Sequence, residues 1–365
     1  MSPERLNAAL AIADLSVSGS GHAISLVVGK IKQALERVYP ETKIREHRIS
    51  PIVSVKENFD DLLFPADNAG RSSRYTRYVS AEKILRTHTS AGISSWLQKE
   101  SQNSINDSMV LVPGICYRRD VVDKTHSGEL HQMDVWRVKH GNNRLTRKSF
   151  IALVENIINA LMPGSEYRAN EVTHPYTING LEVEIKIGDS WMEILEGGEI
   201  HPTVLQNFGL DPKEYSGLAL GMGLDRLVML IKGIDDIRIL RSEDERIKSQ
   251  MADLKPYNKV SFQPITKRVI SFSADISRTE EDICEKIRDG LGEHASCIEK
   301  IGYQEVAYEL LPEKARFNLG IQSGQKNVIA EIIFRPLEKS LPKELVNEWM
   351  QHLYPILNEG QGGYI

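Results

Sequence analysis

The chain has 365 residues, with 45 Lys and Arg against 50 Asp and Glu and a formal net charge of −5. At 41% hydrophobic and 26% charged it reads as an ordinary globular protein of two or three domains, which excludes a disordered chain and a globally basic one. No apolar run approaches the roughly 18 residues that span a bilayer, so no membrane partner is expected. Cys116, Cys284 and Cys297 form no CxxC pair, which argues against a zinc ribbon and a disulfide framework. The N-terminus has no basic-then-apolar leader and carries Glu4 and Asp14, so a cytoplasmic protein is the expectation.

Residues 22–38 place Ile24, Val27, Val28, Ile31, Leu35 and Val38 at helical spacing, and Pro40 ends that helix. Residues 42–57 read as extended. Val110–Cys116 and Val135–Val138 read as strands flanking a polar loop at 119–131. Leu181–Ile187 alternates apolar residues with Glu182, Glu184 and Lys186, and the turn Gly188-Asp189-Ser190 leads to a partner strand, Trp191–Leu195. Leu224–Lys232 is an apolar helix closed by Gly233. An antiparallel sheet flanked by helices is therefore expected over residues 1–252. The polar stretch 253–264, with Pro256 and Pro264, reads as a linker. In the final domain, residues 265–365, Val269–Ala274 is a strand, and Thr279 opens a helix to about 290 in the manner of a capping box. A strand near 296–303, another through Phe317, Leu319 and Ile321, a third at Val328–Phe334 and a helix over 342–358 follow. This is read as a ferredoxin-like β-α-β-β-α-β unit, and the whole chain as α+β.

Three segments concentrate groups suited to phosphates or a carboxylate. In the first, Arg86-Thr-His-Thr-Ser-Ala91, a lone His88 would ordinarily be a satisfied core or surface histidine. The second runs from Tyr117-Arg118-Arg119-Asp120 across a polar loop to His131-Gln-Met-Asp134. A guanidinium is a planar fork that grips phosphate and stacks on rings, although alone this segment could be a charged surface hairpin. The third, Gly221-Met-Gly-Leu-Asp-Arg226, enters a helix, and its glycines allow close backbone approach.

Taken in order, the second and third segments resemble motifs 2 and 3 of the class II aminoacyl-tRNA synthetases. Ser50-Pro-Ile-Val, Asn58-Phe-Asp-Asp-Leu-Leu-Phe-Pro-Ala-Asp67, His88-Thr-Ser, Tyr117-Arg-Arg-Asp, Trp191-Met-Glu-Ile-Leu and Gly221-Met-Gly-Leu-Asp-Arg sharpen the match. They resemble phenylalanyl-tRNA synthetase, most of all its single-chain, mitochondrial-type form, which ends in a ferredoxin-fold anticodon-binding domain. The resemblance covers about residues 40–365.

It implies an enzyme that joins an amino acid to ATP as an aminoacyl-adenylate and transfers it to tRNA, with Mg²⁺ as cofactor and a monomer as the expected state. By resemblance, Arg118 would hold the α-phosphate and the carboxylate, and Arg226 the γ-phosphate and adenine. Thr125, His126 and Ser127 would meet ATP, and Glu193 would help bind magnesium. Ser90, Gln132 and Asp134 would face the α-ammonium. The amino-acid pocket would also draw on His88, Ala91, Gly92 and Ile93, on Met133, and on Ala219, Leu220 and Gly221. Cys116 is read as a small buried hydrophobe. Lys267, Arg268, Arg316 and Arg335 are candidates for a basic face toward tRNA.

The pocket departs from the phenylalanine pattern. Asn170, Glu171 and Val172 stand where the family has an aromatic clamp, and Leu220 where it has a second phenylalanine. Ile93 replaces a glutamine, Asp134 a glutamate, and Glu196 and Glu199 enter a small-residue stretch. A buried carboxylate disfavours an apolar ligand. The expected substrate is phenylalanine or, given this pocket, another amino acid with a polar or cationic side chain, with Glu196 the residue to test for that role. An amino-acid-activating enzyme with a non-tRNA acceptor, and a non-catalytic tRNA-binding protein, remain the alternatives.

Overall fold

The computed structural model describes residues 1–365 apart from 104, 120–123, 125, 244, 260–262, 337–338 and 363–365. The chain forms two units. One comprises Met1–Arg118, Glu129–Ile234 and Gln250–Pro256, and the other Arg119–Gly128, Asp235–Ser249 and Tyr257–Ile365.

The first unit is built on strands β1 (Lys43–Glu46), β2 (Ile52–Ser54), β3 (Lys83–Leu85), β4 (Asp107–Tyr117), β5 (Glu129–His140), β6 (Tyr167–Glu171), β7 (Thr177–Ile187), β8 (Ser190–Ile200) and β9 (Tyr215–Gly223). Seven of them form one sheet in the order β1-β4-β5-β9-β8-β7-β6, and β2 pairs with β3 separately. In the large sheet only β1 with β4 is parallel. The helix Ala23–Val38 buries Ile24, Val27, Val28, Ile31 and Leu35 on one stripe, as the spacing requires. The helices Arg147–Leu161 and Leu224–Lys232 pack with it in one layer. A Cβ on Gly197 of β8 would come within 2.9 Å of the Phe150 ring, which shows how closely this layer lies on the sheet. The opposite face of the sheet is left to short elements. Ile93, Trp96 and Leu97 from one helix and Val204 and Leu205 from another pack there against Val112, Trp136 and Tyr176.

In the second unit, β10 (Thr266–Asp275), β11 (Ile298–Ala307) and β12 (Gln325–Phe334) form an antiparallel sheet in the order β10-β12-β11. The helices Glu280–Leu291 and Lys343–Leu357 close a core around Phe272, Ile283, Ile332, Phe334, Met350 and Leu353. Thr279 caps the first of these with a complete capping box, as expected.

The strand expected through Phe317, Leu319 and Ile321 is instead a helix, Glu313–Leu319. Pro312 precedes it, and Gly320 ends it with φ +58°, a conformation few side chains adopt. Glu-Lys-Ala-Arg are helix formers, and they outweigh the two-residue alternation. Phe317 is 84% exposed, so it has no inward face to alternate with. Among the described residues the order is therefore β-α-β-α-β-α, not the ferredoxin-like β-α-β-β-α-β. After the last helix the chain returns to the edge of β10, where Glu359 N–H donates to Ser273 O at 2.8 Å.

Candidate active site

Residues paired across neighbouring strands share a face of the sheet. The register joins Asp134 on β5 to Gly221 on β9, Gly221 to Glu196 on β8, Glu196 to Glu182 on β7, and Glu182 to Asn170 on β6. Five residues, four of them singled out by the sequence, thus lie in one row across five strands. Gly221 is the low point. A Cβ there would meet only Asp134 Oδ1, at 3.7 Å, so the space above it is open.

One strand parity would place Glu193 and Glu196 on opposite faces. A bulge on β8 removes that conflict, because Glu193 pairs with Glu184 while Glu196 pairs with Glu182. The extra residue brings both glutamates to the face that carries Asp134. Parity excludes two other candidates. Met133 pairs with Met222 and Leu220 with Val135, on the face covered by helices. The expectation that Met133 and Leu220 line the pocket is corrected accordingly. They support it from behind.

Asp134 is the buried pole of the cleft. Thr89 donates its hydroxyl to Oδ1 at 2.8 Å, Trp136 donates Nε1–H to Oδ2 at 3.1 Å, and Ser90 also bonds to it. Burial pushes its carboxyl up to about 6, against those hydrogen bonds, and the like charge of Glu196 adds to the rise. Tyr176 stacks on Trp136 with ring centroids 5.7 Å apart. Burial first, then Asp134 and Glu196, push its phenol up. Phe64 and His88 stack at 5.7 Å and extend the aromatic wall.

Across Gly221, Glu196 Oε2 lies 2.8 Å from His174 Nε2. That bond holds the Glu196 carboxyl below its ordinary value against burial, and Arg118 contributes further. Among the described residues neither Oε1 of Glu196 nor either oxygen of Glu182 has a hydrogen-bond partner, although the charges of Arg118 and Arg168 act on them. Glu184 is held by Arg168 at 2.5 Å and by Asn170 at 2.6 Å.

The two motif arginines mark the other boundaries. Arg118 follows β4 and donates Nε–H to Thr87 O at 2.9 Å, directly before His88. Arg226 lies in the first turn of the helix after β9. Its Nη1 reaches Glu193 O at 3.3 Å and Glu193 Oε2 at 3.7 Å, and both side chains remain about two-fifths exposed. Burial, then Glu196, raise the Glu193 carboxyl, and Arg226 opposes them.

His88 has a defined tautomer. The backbone N–H of Thr87 donates to Asn58 Oδ1, which orients the Asn58 amide so that its Nδ2 faces His88 Nε2 at 3.3 Å. Nε2 therefore accepts, and Nδ1 carries the proton. Nδ1 meets no acceptor among the described residues. Burial, then the Arg118 charge, push the imidazole down to about 3, so it is neutral at working pH.

The remaining candidates fall into groups. Ser90, Ala91 and Ile93 are buried, and Gly92 is seated so tightly that a Cβ would come 2.7 Å from Val112. Gln132 pairs with Gly223, and Ala219 with Trp136, both on the cleft face. Val172 lies just past β6, its N–H bonded to Gly180 O at 3.1 Å. His126 and Ser127 lie on the connection from β4 to β5, and Thr125 is outside the described residues. Burial pushes the Cys116 thiol up to about 12, consistent with an inert core residue. Sequence reasoning missed Glu182, His174, Trp136 and Tyr176. In the sequence Glu182 is only one of the polar residues of an alternating strand.

The family model described as "tRNA synthetases class II core domain (F)" matches residues 12–251. The chain belongs to the class II tRNA synthetases. It is 31% identical over 342 residues to the chloroplastic/mitochondrial phenylalanine--tRNA ligase of Arabidopsis thaliana, covering 90% of this chain and 74% of that one. It is 27% identical over 413 residues to the mitochondrial phenylalanine--tRNA ligase of Saccharomyces cerevisiae, covering 89% and 87%. The phenylalanine--tRNA ligase alpha subunit of Prochlorococcus marinus is 33% identical over 193 residues, covering 53% and 56%. The chain is thus an aminoacyl-tRNA ligase similar to the phenylalanine--tRNA ligases. The cytoplasmic expectation is overturned, because the relatives matched along most of the chain are organellar enzymes by name. No described helix is long and apolar enough to cross a membrane.

Proposed function

We propose that the cleft over Gly221 activates an amino acid with ATP and passes it to tRNA. One carboxylate oxygen of the amino acid attacks the α-phosphorus, the bond to the bridging oxygen breaks, and pyrophosphate leaves with the electron pair. Arg118 holds the carboxylate and the α-phosphate, and Arg226 holds the outer phosphates. Asp134, Ser90 and Gln132 receive the α-ammonium. Such a site works by positioning and charge neutralisation, and no side chain acts as a nucleophile. Class II synthetases use ATP with Mg²⁺, which neutralises phosphate charge. The half-exposed carboxylate of Glu193 beside Arg226 fits a share in that ion. No group of three or more described His, Cys, Asp or Glu could hold a metal alone, so the phosphates would supply the other ligands.

The amino acid accepted has a side chain ending in a hydrogen-bond donor. The observation that carries this is that Oε1 of Glu196 and both oxygens of Glu182 accept no hydrogen bond among the described residues, next to the open floor at Gly221. A ring as apolar as phenylalanine would leave both carboxylates desolvated and unsatisfied. A second reading, phenylalanine itself, is favoured by the rings of Phe64, Trp136 and Tyr176. We assign residues 265–365 to tRNA contact, on resemblance alone. Charging of total tRNA with each labelled amino acid tests the reading. Ester formation with an amino acid bearing such a donor supports it. Charging with phenylalanine alone favours the second reading.

A further inference from the structure

One buried histidine joins three parts of the first unit. His131, at the start of β5, is fully buried. Its Nδ1 lies 3.0 Å from Asp225 Oδ1, and its backbone N–H donates to the other oxygen of the same carboxylate. Asp225 directly precedes Arg226 in the first turn of its helix. On the far side of the ring, the backbone N–H of Leu15 donates to Nε2 at 3.0 Å. A ring nitrogen that accepts carries no proton, so Leu15 leaves the proton on Nδ1, where Asp225 accepts it.

The segment that supplies this amide is itself fastened. Asp14 Oδ1 accepts from the Ser16 N–H at 2.9 Å and from the Ser16 hydroxyl at 2.5 Å. Asp14 Oδ2 accepts from the Ile115 N–H of β4 at 3.4 Å. Arg48 donates to Ser16 O at 2.6 Å and to the Ser16 hydroxyl at 3.1 Å. Three residues far from the cleft in sequence therefore bind β4 and β5 directly, and reach the helix of Arg226 through His131.

We propose that residues 14–16 are a clasp that positions Arg226 for ATP, acting through the ring of His131 and the carboxylate of Asp225. The proposal rests on the reading of Arg226 as an ATP-binding residue. With the Leu15 amide removed, Nε2 loses its donor, and the ring is held only by its Nδ1–H bond to Asp225. Ring and carboxylate are then free to swing together. The first helical turn shifts, and the guanidinium that follows it loses alignment with the phosphates. His131, Asp225 and Leu15 are positioning residues, since none of them touches substrate.

Leu15→Pro deletes the N–H donor. His131→Asn keeps an amide N–H at the place of Nδ1 but has no atom at the place of Nε2. ATP titrated into the full chain by calorimetry should bind on the order of 10-fold more weakly to Leu15→Pro than to the parent. His131→Asn should weaken ATP binding to a similar extent, because it has no atom for the Leu15 amide to reach, and Leu15→Pro should cost it nothing further. An equal cost of Leu15→Pro on both backgrounds would overturn the clasp and leave a merely structural contact. ATP binding to none of the proteins would overturn the functional reading itself. If Leu15→Pro does not fold, ¹⁵N NMR of the parent decides. A proton on Nδ1 of His131 supports the clasp, and one on Nε2 contradicts it.

Discussion

His174 Nε2 and Glu196 Oε2 meet at 2.8 Å on the wall of the cleft opposite Asp134, with Gly221 between the two carboxylates. The pair fixes one oxygen of Glu196 and leaves the other for a ligand. Glu196→Gln removes the charge and keeps the shape. The change should raise KM for the preferred amino acid by roughly 10–100-fold, as expected for a lost charge-assisted hydrogen bond. KM for ATP should stay within about twofold. Steady-state pyrophosphate exchange with each substrate varied in turn measures both.

Asp134 links pH to affinity and to stability. Its carboxyl sits at about 6, so an ionised acceptor for an α-ammonium is lost as pH falls through 6. Amino-acid KM should therefore rise below pH 6 and level off above about 7. The stability effect has the opposite sign. A carboxyl raised on folding binds its proton more tightly in the native state, so stability falls as pH rises from about 4 to about 6. At neutral pH the cost is on the order of 2–3 kcal/mol. Asp134→Asn should thus raise the melting temperature while weakening amino-acid binding. A lowered melting temperature would show that hydrogen bonding outweighs burial.

Arg226 reaches Glu193 from a helix start and stays partly exposed, poised for a ligand. Arg226→Ala should lower kcat/KM for ATP by on the order of 10²-fold. Arg226→Lys should recover little, because an ammonium cannot reproduce a planar fork. Varying ATP at saturating amino acid separates the two variants.

Gly221 tests the cleft floor. A Cβ there reaches ordinary contact distance from Asp134 and nothing closer, so Gly221→Ala should fold normally. The added methyl occupies the space above the row. Amino-acid KM should rise several-fold with an unchanged melting temperature. Gly114→Ala offers the contrast, because its Cβ would run into the Arg86 guanidinium, and stability should fall.

Much of the cleft was legible in the sequence because chemistry concentrates in short segments. Arg118, Asp134 and Arg226 stand out through motifs that resemble the family's, and Glu196 through its departure from the family's small-residue stretch. Placement was not legible where it depended on register. Alternation already puts Met133 and Asp134 on opposite faces, yet only the pairing of Leu220 with Val135 shows that Leu220 turns away as well. No spacing rule places Glu193 beside Glu196, since the bulge between them is set by pairing with β7. Phe317, Leu319 and Ile321 misled because alternation was weighed above Pro312 and Gly320, the stronger local signals. His174 and Tyr176 were invisible as pocket residues because a turn, not a periodic element, delivers them.

The most direct measurement is ATP–pyrophosphate exchange with each of the twenty amino acids, with Mg²⁺, for the parent chain and for Arg226→Ala. The parent should exchange with an amino acid whose side chain ends in a hydrogen-bond donor, and Arg226→Ala should lower the signal by on the order of 10²-fold. Silence with all twenty, or exchange untouched by Arg226→Ala, would contradict a cleft that activates amino acids between Arg118, Asp134 and Arg226.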